Sequence, residues 1–136
     1  MKLFYFLKSK AVLFIISLLF SFTSTGQATN DYRSAATGNW NTLATWERYN
    51  GTTWATPTSG QGTPDNTDGV ITIQNNHTVT VTAAVTIDQT TINTGGQVTV
   101  NSGQTLTIAN GAGTDMTVDG TISNAGAITT TGTLVF

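Results

Sequence analysis

Val79-Thr80-Val81, Val98-Thr99-Val100 and Leu106-Thr107-Ile108 are copies of one triplet, apolar–threonine–apolar, that recurs between Val70 and Phe136. Alternation with a period of two residues predicts a β-strand with one buried face and one solvated face. Valine, isoleucine and threonine suit such a surface because branching at Cβ stiffens the side chain and packs well on a pleated sheet. The segments between the triplets are rich in Asn, Gly and Ser, which are typical of turns. The sequence therefore predicts an all-β fold of many short strands.

The triplets recur at a nearly constant spacing, which indicates a repeat fold. Four of the triplets begin at Val79, Val98, Met116 and Leu134, which are 19, 18 and 18 residues apart. This period favours a right-handed parallel β-helix, in which like residues stack from coil to coil about 4.8 Å apart. The predicted stacks are Val79, Val98, Met116 and Leu134; Val85, Leu106 and Ile122; and Thr82, Asn101 and Asp119, with Ile92 and Ile128 on a third side. An antiparallel β-sandwich also has short alternating strands and remains the alternative.

The beginning of the chain has the order of a secretory signal peptide. Lys2, Lys8 and Lys10 precede an apolar run over residues 11–22, and small residues follow. The run is 12 residues long, whereas a membrane span needs about 18–20. We therefore predict a signal peptide over residues 1–26, cleaved after Gly26 or Ala28, and no stable membrane span after cleavage. The predicted location is the cell surface or the medium.

The charge of the chain excludes one class of partner, and its lack of cysteine excludes several kinds of site. All three lysines lie in the predicted signal peptide, which leaves two arginines against seven acidic residues. A nucleic-acid partner is excluded because neutralising a phosphate backbone needs cations. The chain has no cysteine, so disulfides, thiolate metal sites and a cysteine nucleophile are also excluded.

Residues 27–64 contain all three tryptophans, Trp40, Trp46 and Trp54. We interpret this segment as an aromatic N-terminal cap that closes the β-helix of residues 65–136, because an open first coil would expose apolar side chains and strand edges. The alternative is a carbohydrate-binding platform formed by the three indole rings. Asn50-Gly51 predicts a two-residue hairpin loop, with Tyr49 opposite Thr52. Gly38-Asn39 is predicted to be another turn.

Candidate catalytic and metal-binding residues are few. His77 is the only histidine and is interpreted as a turn residue. Asp115 and Asp119 flank one strand and would lie about 13 Å apart, whereas Asp88 and Asp119 are closer candidates across a face. Residues 65–69 resemble a calcium loop in their oxygen content but lack the other ligands of known motifs. The sequence therefore predicts no catalytic residue, no metal site and no cofactor.

A longer pattern of residues carries a resemblance to a group of known proteins. The pattern is Tyr32-Arg33-Ser34, Gly38-Asn39-Trp40, Thr45-Trp46-Glu47, Trp54, Pro57, Asp68-Gly69-Val70-Ile71-Thr72-Ile73 and His77-Thr78-Val79-Thr80-Val81. It resembles the N-terminal region of large secreted bacterial surface proteins of the β-helical, adhesin-like type. It is also loosely similar to the eight-glycine β-strand domain of extracellular proteins. The resemblance implies an extracellular β-helix and no particular activity.

The functional hypothesis is an exported structural or adhesive module, not an enzyme, that binds extracellular glycans or proteins. The alternative is the N-terminal part of a polysaccharide-active β-helix enzyme whose catalytic residues lie beyond this chain. Residues 133–136 end within a predicted strand, so we expect the chain to be truncated at its C-terminus.

Overall fold

A computed structural model describes residues 26–136, so the predicted signal peptide lies outside the described residues except for Gly26. The described residues form strands and one short 3-10 helix, Leu43–Thr45. The strands are β1 (Tyr32–Ser34), β2 (Gly38–Asn39), β3 (Trp46–Tyr49), β4 (Trp54–Ala55), β5 (Ile71–Ile73), β6 (Thr78–Val81), β7 (Val85–Ile87), β8 (Thr90–Ile92), β9 (Gln97–Val100), β10 (Thr105–Ile108), β11 (Met116–Val118), β12 (Thr121–Asn124), β13 (Ala127–Thr130) and β14 (Leu134–Val135). The predicted all-β class is confirmed. Between residues 26 and 136 no helix is long and apolar enough to cross a membrane.

The strands form three sheets in which parallel pairing predominates. The seven-stranded sheet has the order β14-β11-β8-β5-β1-β3-β4, the four-stranded sheet β12-β9-β6-β2 and the three-stranded sheet β13-β10-β7. From β5 onward each strand pairs in parallel with the strand three places later. Antiparallel pairing among the described strands is confined to β1 with β3 and β3 with β4. These parallel sheets are not the arrangement of the antiparallel β-sandwich.

The predicted stacks of side chains are correct in part: Val79 pairs with Val98 and Met116 pairs with Leu134, but Val98 does not pair with Met116. Val98 pairs with Ile122. Met116 instead lies between Thr90 and Leu134. The cause is the connection from β10 to β11, which makes the step from Thr90 to Met116 longer than the 19 residues from Ile71 to Thr90.

The other predicted stacks need the same correction. Leu106 lies between Val85 and Ile128, so Ile122 does not continue that row. Asn101 donates its backbone N–H to Val81, whereas Asp119 donates to Ile92. Asp119 therefore lies beside a different sheet from Asn101, and the predicted stack of Thr82, Asn101 and Asp119 does not form.

The core lies between the inward faces of the three sheets. Alternate residues are buried in β5, β6, β8, β9 and β10, as the triplet pattern predicts. The buried hydrophobic cluster consists of Tyr32, Trp40, Trp46, Ile71, Ile73, Val79, Val81, Ile87, Ile92, Val98, Val100, Leu106, Ile108 and Met116. The threonines between them face outward and are half-buried or exposed. Burial of the apolar faces and the backbone ladders therefore stabilise the fold together.

The hairpin between β3 and β4 differs from the predicted one by two residues. Tyr49 pairs with Trp54 rather than with Thr52, so the loop contains four residues, Asn50 to Thr53. The Asn50 side chain explains the longer loop, because its Oδ1 accepts hydrogen bonds from the backbone N–H groups of Thr52 and Thr53. Such side-chain to backbone bonds compete with strand pairing.

The predicted turn at Gly38-Asn39 is also wrong, because these residues form β2. Gly38 and Asn39 pair in parallel with Val79 and Thr80 of β6. A side chain at Gly38 would collide with Thr45 Oγ1, so glycine is used here for the close approach of the 3-10 helix. The predicted loop of residues 56–65 contains no strand or helix, as expected.

Candidate ligand-binding groove and carboxylate pair

Two of the three predicted carbohydrate-binding tryptophans are inside the protein. Trp40 is 2% exposed and Trp46 is fully buried. The Trp40 indole N–H donates to the Pro64 carbonyl at 2.8 Å, and that of Trp46 donates to the Trp40 carbonyl at 2.8 Å. Their rings meet edge to face at 4.8 Å between centroids. Neither ring can stack on a sugar, so the three-tryptophan platform does not form. Both rings are part of the hydrophobic core.

Trp54 has a different position, on the outer face of the seven-stranded sheet. It is half-buried and lines an open groove of about 220 Å³. The other side chains of interest in the groove are Asp31, Arg33, Val70, Thr72 and Gln74. Trp54 is therefore the one predicted site residue that reaches a surface concavity.

Strand register places Arg33 at the centre of this groove. Arg33 pairs with Glu47 of β3 on one side and with Thr72 of β5 on the other. Its Nε and Nη2 both lie 2.7 Å from Glu47 Oε2. Its guanidinium carbon lies 4.4 Å from the centroid of the Trp54 ring, a cation–π contact. The ion pair is partly exposed and adds little stability, but it holds the guanidinium against the indole.

The charged side chains at the groove already have partners. Glu47 neutralises Arg33, and the Asp31 carboxylate is occupied by two backbone N–H groups, those of Ala28 at 2.8 Å and Val70 at 2.9 Å. The groove therefore offers an aromatic surface, a threonine hydroxyl and an amide, without a cation free to attract an anion. These groups suit a neutral ligand that carries hydroxyl groups.

A pair of carboxyl groups, Asp88 and Asp115, lies elsewhere in the fold and was not predicted. Asp115 is fully buried. Its Oδ1 accepts the Gly111 N–H at 2.6 Å, and its Oδ2 accepts the Thr133 N–H. The Asp88 side chain, directly after β7, forms a hydrogen bond with Asp115. The pair ties the connection from β10 to β11 to its two neighbouring connections.

The two carboxyl groups have opposite pKa shifts. Burial raises the pKa of Asp88, and the hydrogen bond with Asp115 raises it further. The N–H groups of Thr133 and Gly111 hold the pKa of Asp115 below its usual value, because they stabilise the carboxylate. When the pair holds one proton, that proton lies on Asp88, because the pKa of Asp88 is the higher of the two. Because the Asp115 carboxylate is buried and accepts hydrogen bonds from two backbone donors, its contacts join loops.

The pair could have been predicted from the sequence if the register of Met116 had been assigned correctly. Asp115 directly precedes Met116, which pairs with Thr90, and Thr90 donates its N–H to the Asp115 carbonyl at 2.9 Å. A correct register would have placed Asp115 beside the Asp88 corner. The predicted register places Met116 next to Val98, and the sequence analysis names Asp119, not Asp115, as a candidate near Asp88.

Asp88→Asn is expected to change the pH dependence of stability. A carboxyl group whose pKa is raised by folding stabilises the protein fully below its unfolded pKa, and this contribution is lost as the pH rises through the folded pKa. Asparagine can donate the same hydrogen bond to Asp115 and cannot ionise. We therefore expect the variant to gain stability relative to the wild type as the pH rises above about 4, the usual pKa of an unfolded aspartate, measured as the midpoint of chemical denaturation.

The matched control is Asp119→Asn, which removes an exposed carboxylate of the same charge. Asp115 contributes in the opposite direction, because its stabilisation is lost as the pH falls through its lowered pKa. This acid-side loss should remain in Asp88→Asn. A difference in stability from the wild type that is constant across pH would contradict a raised pKa of Asp88.

His77 lies in the connection between β5 and β6, where it contacts β1. Its Nδ1 is 2.9 Å from Ser34 Oγ and 3.1 Å from the Ser34 carbonyl oxygen. The same hydroxyl accepts the Gln74 N–H at 2.8 Å, and Ser34 is fully buried. A buried hydroxyl cannot attack a substrate, so this serine and histidine connect strands and do not form a nucleophilic site.

The aspartates of residues 65–69 bind their own turn. Asp65 Oδ1 accepts the N–H of Thr67 at 2.7 Å, and Asp68 Oδ2 accepts the N–H of Asp65 at 3.0 Å. Burial raises the pKa of Asp68, which disfavours the ionised form that a metal requires. Within residues 26–136 no three His, Cys, Asp or Glu side chains are grouped closely enough to hold a metal ion.

Comparison with protein families, with curated proteins and with solved structures finds no significant match to this chain.

Proposed function

We propose that this chain is an exported, non-catalytic module that binds neutral glycans through the groove beside Trp54. The observation that carries the proposal is the combination of a half-exposed indole, a compensated ion pair and outward hydroxyl groups in one open concavity. The order of residues 1–26 supports export to the cell surface or the medium. A structural or adhesive role follows, because the groove lies on a scaffold of short, hydrogen-bonded strands.

We further propose that the scaffold is a right-handed parallel β-helix with residues 27–64 as its N-terminal cap. The proposal is supported by the regular pairing of each strand from β5 onward with the strand three places later. It also agrees with the resemblance to secreted bacterial surface proteins of the β-helical, adhesin-like type. In such a fold the groove lies at the capped end, where β1, β3 and β4 extend the seven-stranded sheet.

The chemistry of the groove favours neutral sugars over acidic ones. Sugar rings carry C–H groups that stack on aromatic surfaces and hydroxyl groups that exchange hydrogen bonds with polar side chains. Thr72 and Gln74 supply such polar groups at the groove. An acidic sugar would lie near the carboxylates of Asp31 and Glu47, and Arg33 is already paired with Glu47. Like charges at short distance lower affinity.

Trp54→Ala is expected to lower the affinity for neutral oligosaccharides by about tenfold or more. A tryptophan that the bound partner covers often contributes much of the binding energy. The measurement is isothermal titration of the wild type and the variant with neutral and acidic oligosaccharides of equal length. Thr99→Val is the matched control, because Thr99 lies on the outer face of the four-stranded sheet and should leave binding unchanged. The proposal fails if the wild type binds no neutral oligosaccharide, or if Trp54→Ala binds as tightly as the wild type.

A further inference from the structure

In the loop from β3 to β4, three hydrogen-bond donors converge on the side-chain amide of Asn50. Asn50 Oδ1 accepts three hydrogen bonds, from Thr52 N at 2.9 Å, Thr52 Oγ1 at 2.8 Å and Thr53 N at 2.9 Å. Asn50, Gly51 and both threonines are exposed to solvent. Donors that converge on one carbonyl oxygen stabilise negative charge that develops on it during attack at the carbonyl carbon.

The next residue, Gly51, provides the nucleophile, its backbone nitrogen. Within residues 26–136 the Gly51 N–H donates no hydrogen bond to another protein group. Gly51 has a φ of +99° and no side chain that could shield its nitrogen. Attack of the Gly51 nitrogen on Cγ of Asn50 closes a five-membered ring. The reaction is therefore intramolecular, and the nucleophile has a high effective concentration.

We propose that Asn50 is a site of self-catalysed deamidation, for which the loop itself supplies the stabilising donors. The Gly51 nitrogen loses its proton to hydroxide and forms a bond to Asn50 Cγ, and the negative charge develops on Oδ1. The bond from Cγ to Nδ2 then breaks, and this nitrogen takes a proton from water and leaves as ammonia. Water opens the resulting cyclic imide at either carbonyl group, which yields aspartate or isoaspartate.

The chain contains a matched site that lacks both features. Asn110-Gly111 is the same dipeptide and is also exposed. There the Gly111 N–H donates to Asp115 Oδ1 at 2.6 Å, so the nucleophile is held by a carboxylate. No donor contacts Asn110 Oδ1 within the part of the chain that the structure describes. The geometry therefore assigns rapid deamidation to Asn50 and slow deamidation to Asn110.

The modification would change the surface beside the groove. Asn50 directly follows Tyr49, whose ring lies 5.3 Å from that of Trp54. The backbone N–H of Tyr49 donates to the Asp31 carbonyl at 2.8 Å. Isoaspartate adds a methylene group to the main chain and a negative charge to the loop, so the pairing of Tyr49 with Trp54 would be altered as the protein ages.

The test compares both asparagines within one protein. The full chain is incubated at mildly alkaline pH, folded and in denaturant, and peptide mapping by mass spectrometry follows the replacement of the amide NH₂ by OH at each site. In the folded protein we expect Asn50 to react about tenfold faster than Asn110 or more, since each hydrogen bond to the developing charge contributes a factor of about two to ten. In denaturant the two rates should converge, because the dipeptides are identical.

Thr52→Val and Thr53→Val separate the proposed mechanism from simple exposure. Thr52→Val removes the hydroxyl that donates to Asn50 Oδ1 and should slow deamidation at Asn50 by about two- to tenfold. Among the described residues, the Thr53 hydroxyl forms a hydrogen bond only with the Trp54 carbonyl, at 3.5 Å, so Thr53→Val should leave the rate unchanged. The inference is overturned if Asn50 and Asn110 react equally fast in the folded protein, if Asn50 reacts more slowly when folded than in denaturant, or if Thr52→Val reacts as fast as the wild type.

Discussion

Trp46→Ala is expected to lower the free energy of unfolding by about 3–5 kcal/mol, as truncation of a buried tryptophan usually does. The ring is fully buried and packs edge to face against Trp40 and Tyr32, with centroids 4.8 and 6.5 Å away. Alanine would leave a cavity where β1, β3 and the 3-10 helix meet. It would also leave the Trp40 carbonyl without the indole donor that it has in the wild type, and an unsatisfied buried polar group adds to the cost.

The measurement is equilibrium denaturation followed by circular dichroism, which does not depend on the tryptophan signal. Trp46→Phe is the informative companion, because it retains an aromatic ring and removes only the indole N–H and part of the volume. We expect it to lie between the wild type and Trp46→Ala. Trp54→Ala is the matched control, since Trp54 is half-buried on the outer surface and should lose much less stability. Equal losses for Trp46→Ala and Trp54→Ala would contradict the assignment of Trp46 to the core.

Gly120→Ala is expected to lower the free energy of unfolding by about 1–3 kcal/mol, the usual cost of forcing extra atoms into a packed region. Gly120 lies between β11 and β12, where the chain turns from one sheet to the next. A Cβ atom there would lie 2.5 Å from the Asn93 carbonyl oxygen and 2.7 Å from Ile92 Cγ2, and it would also collide with the Gly96 carbonyl. Two of these three neighbours are backbone atoms, so they cannot move without disturbing the strands.

Gly60→Ala is the control for this substitution, because a Cβ at Gly60 would have no atom within 4 Å. It should leave stability unchanged or raise it slightly, since alanine reduces the freedom of the unfolded chain. Thermal and chemical denaturation of both variants would test the difference. Equal stabilities of Gly120→Ala and Gly60→Ala would contradict the close approach of the Asn93 and Gly96 carbonyl groups to Gly120.

Burial along each strand could be predicted from the sequence because alternation is a local property. Val79, Val81, Val98 and Val100 are all buried, and the threonine between each pair faces outward. Which strands are neighbours is not a local property. It depends on the lengths of the connections, and the long one between β10 and β11 moved Met116 from the predicted Val98 to Thr90.

The same limit applies to the candidate site. The sequence placed three tryptophans in one segment, but only their packing shows that Trp40 and Trp46 lie in the core while Trp54 faces the groove with Arg33. The hairpin loop was predicted at the correct asparagine and glycine, yet its length was set by hydrogen bonds from Thr52 and Thr53 to the Asn50 side chain. A local turn preference cannot resolve that competition.

The all-β class and the buried faces of the central strands could be predicted from the amino-acid sequence, because they depend on residue type and on a period of two. The partners of the charged residues follow only from the packing of the strands: Arg33 forms an ion pair with Glu47 beside Trp54, and Asp88 lies beside Asp115. Asp88 and Asp115 are 27 positions apart in the chain and meet only because parallel pairing of β8 with β11 brings their connections together. Contacts between distant residues follow from strand register, and register is set by the whole core.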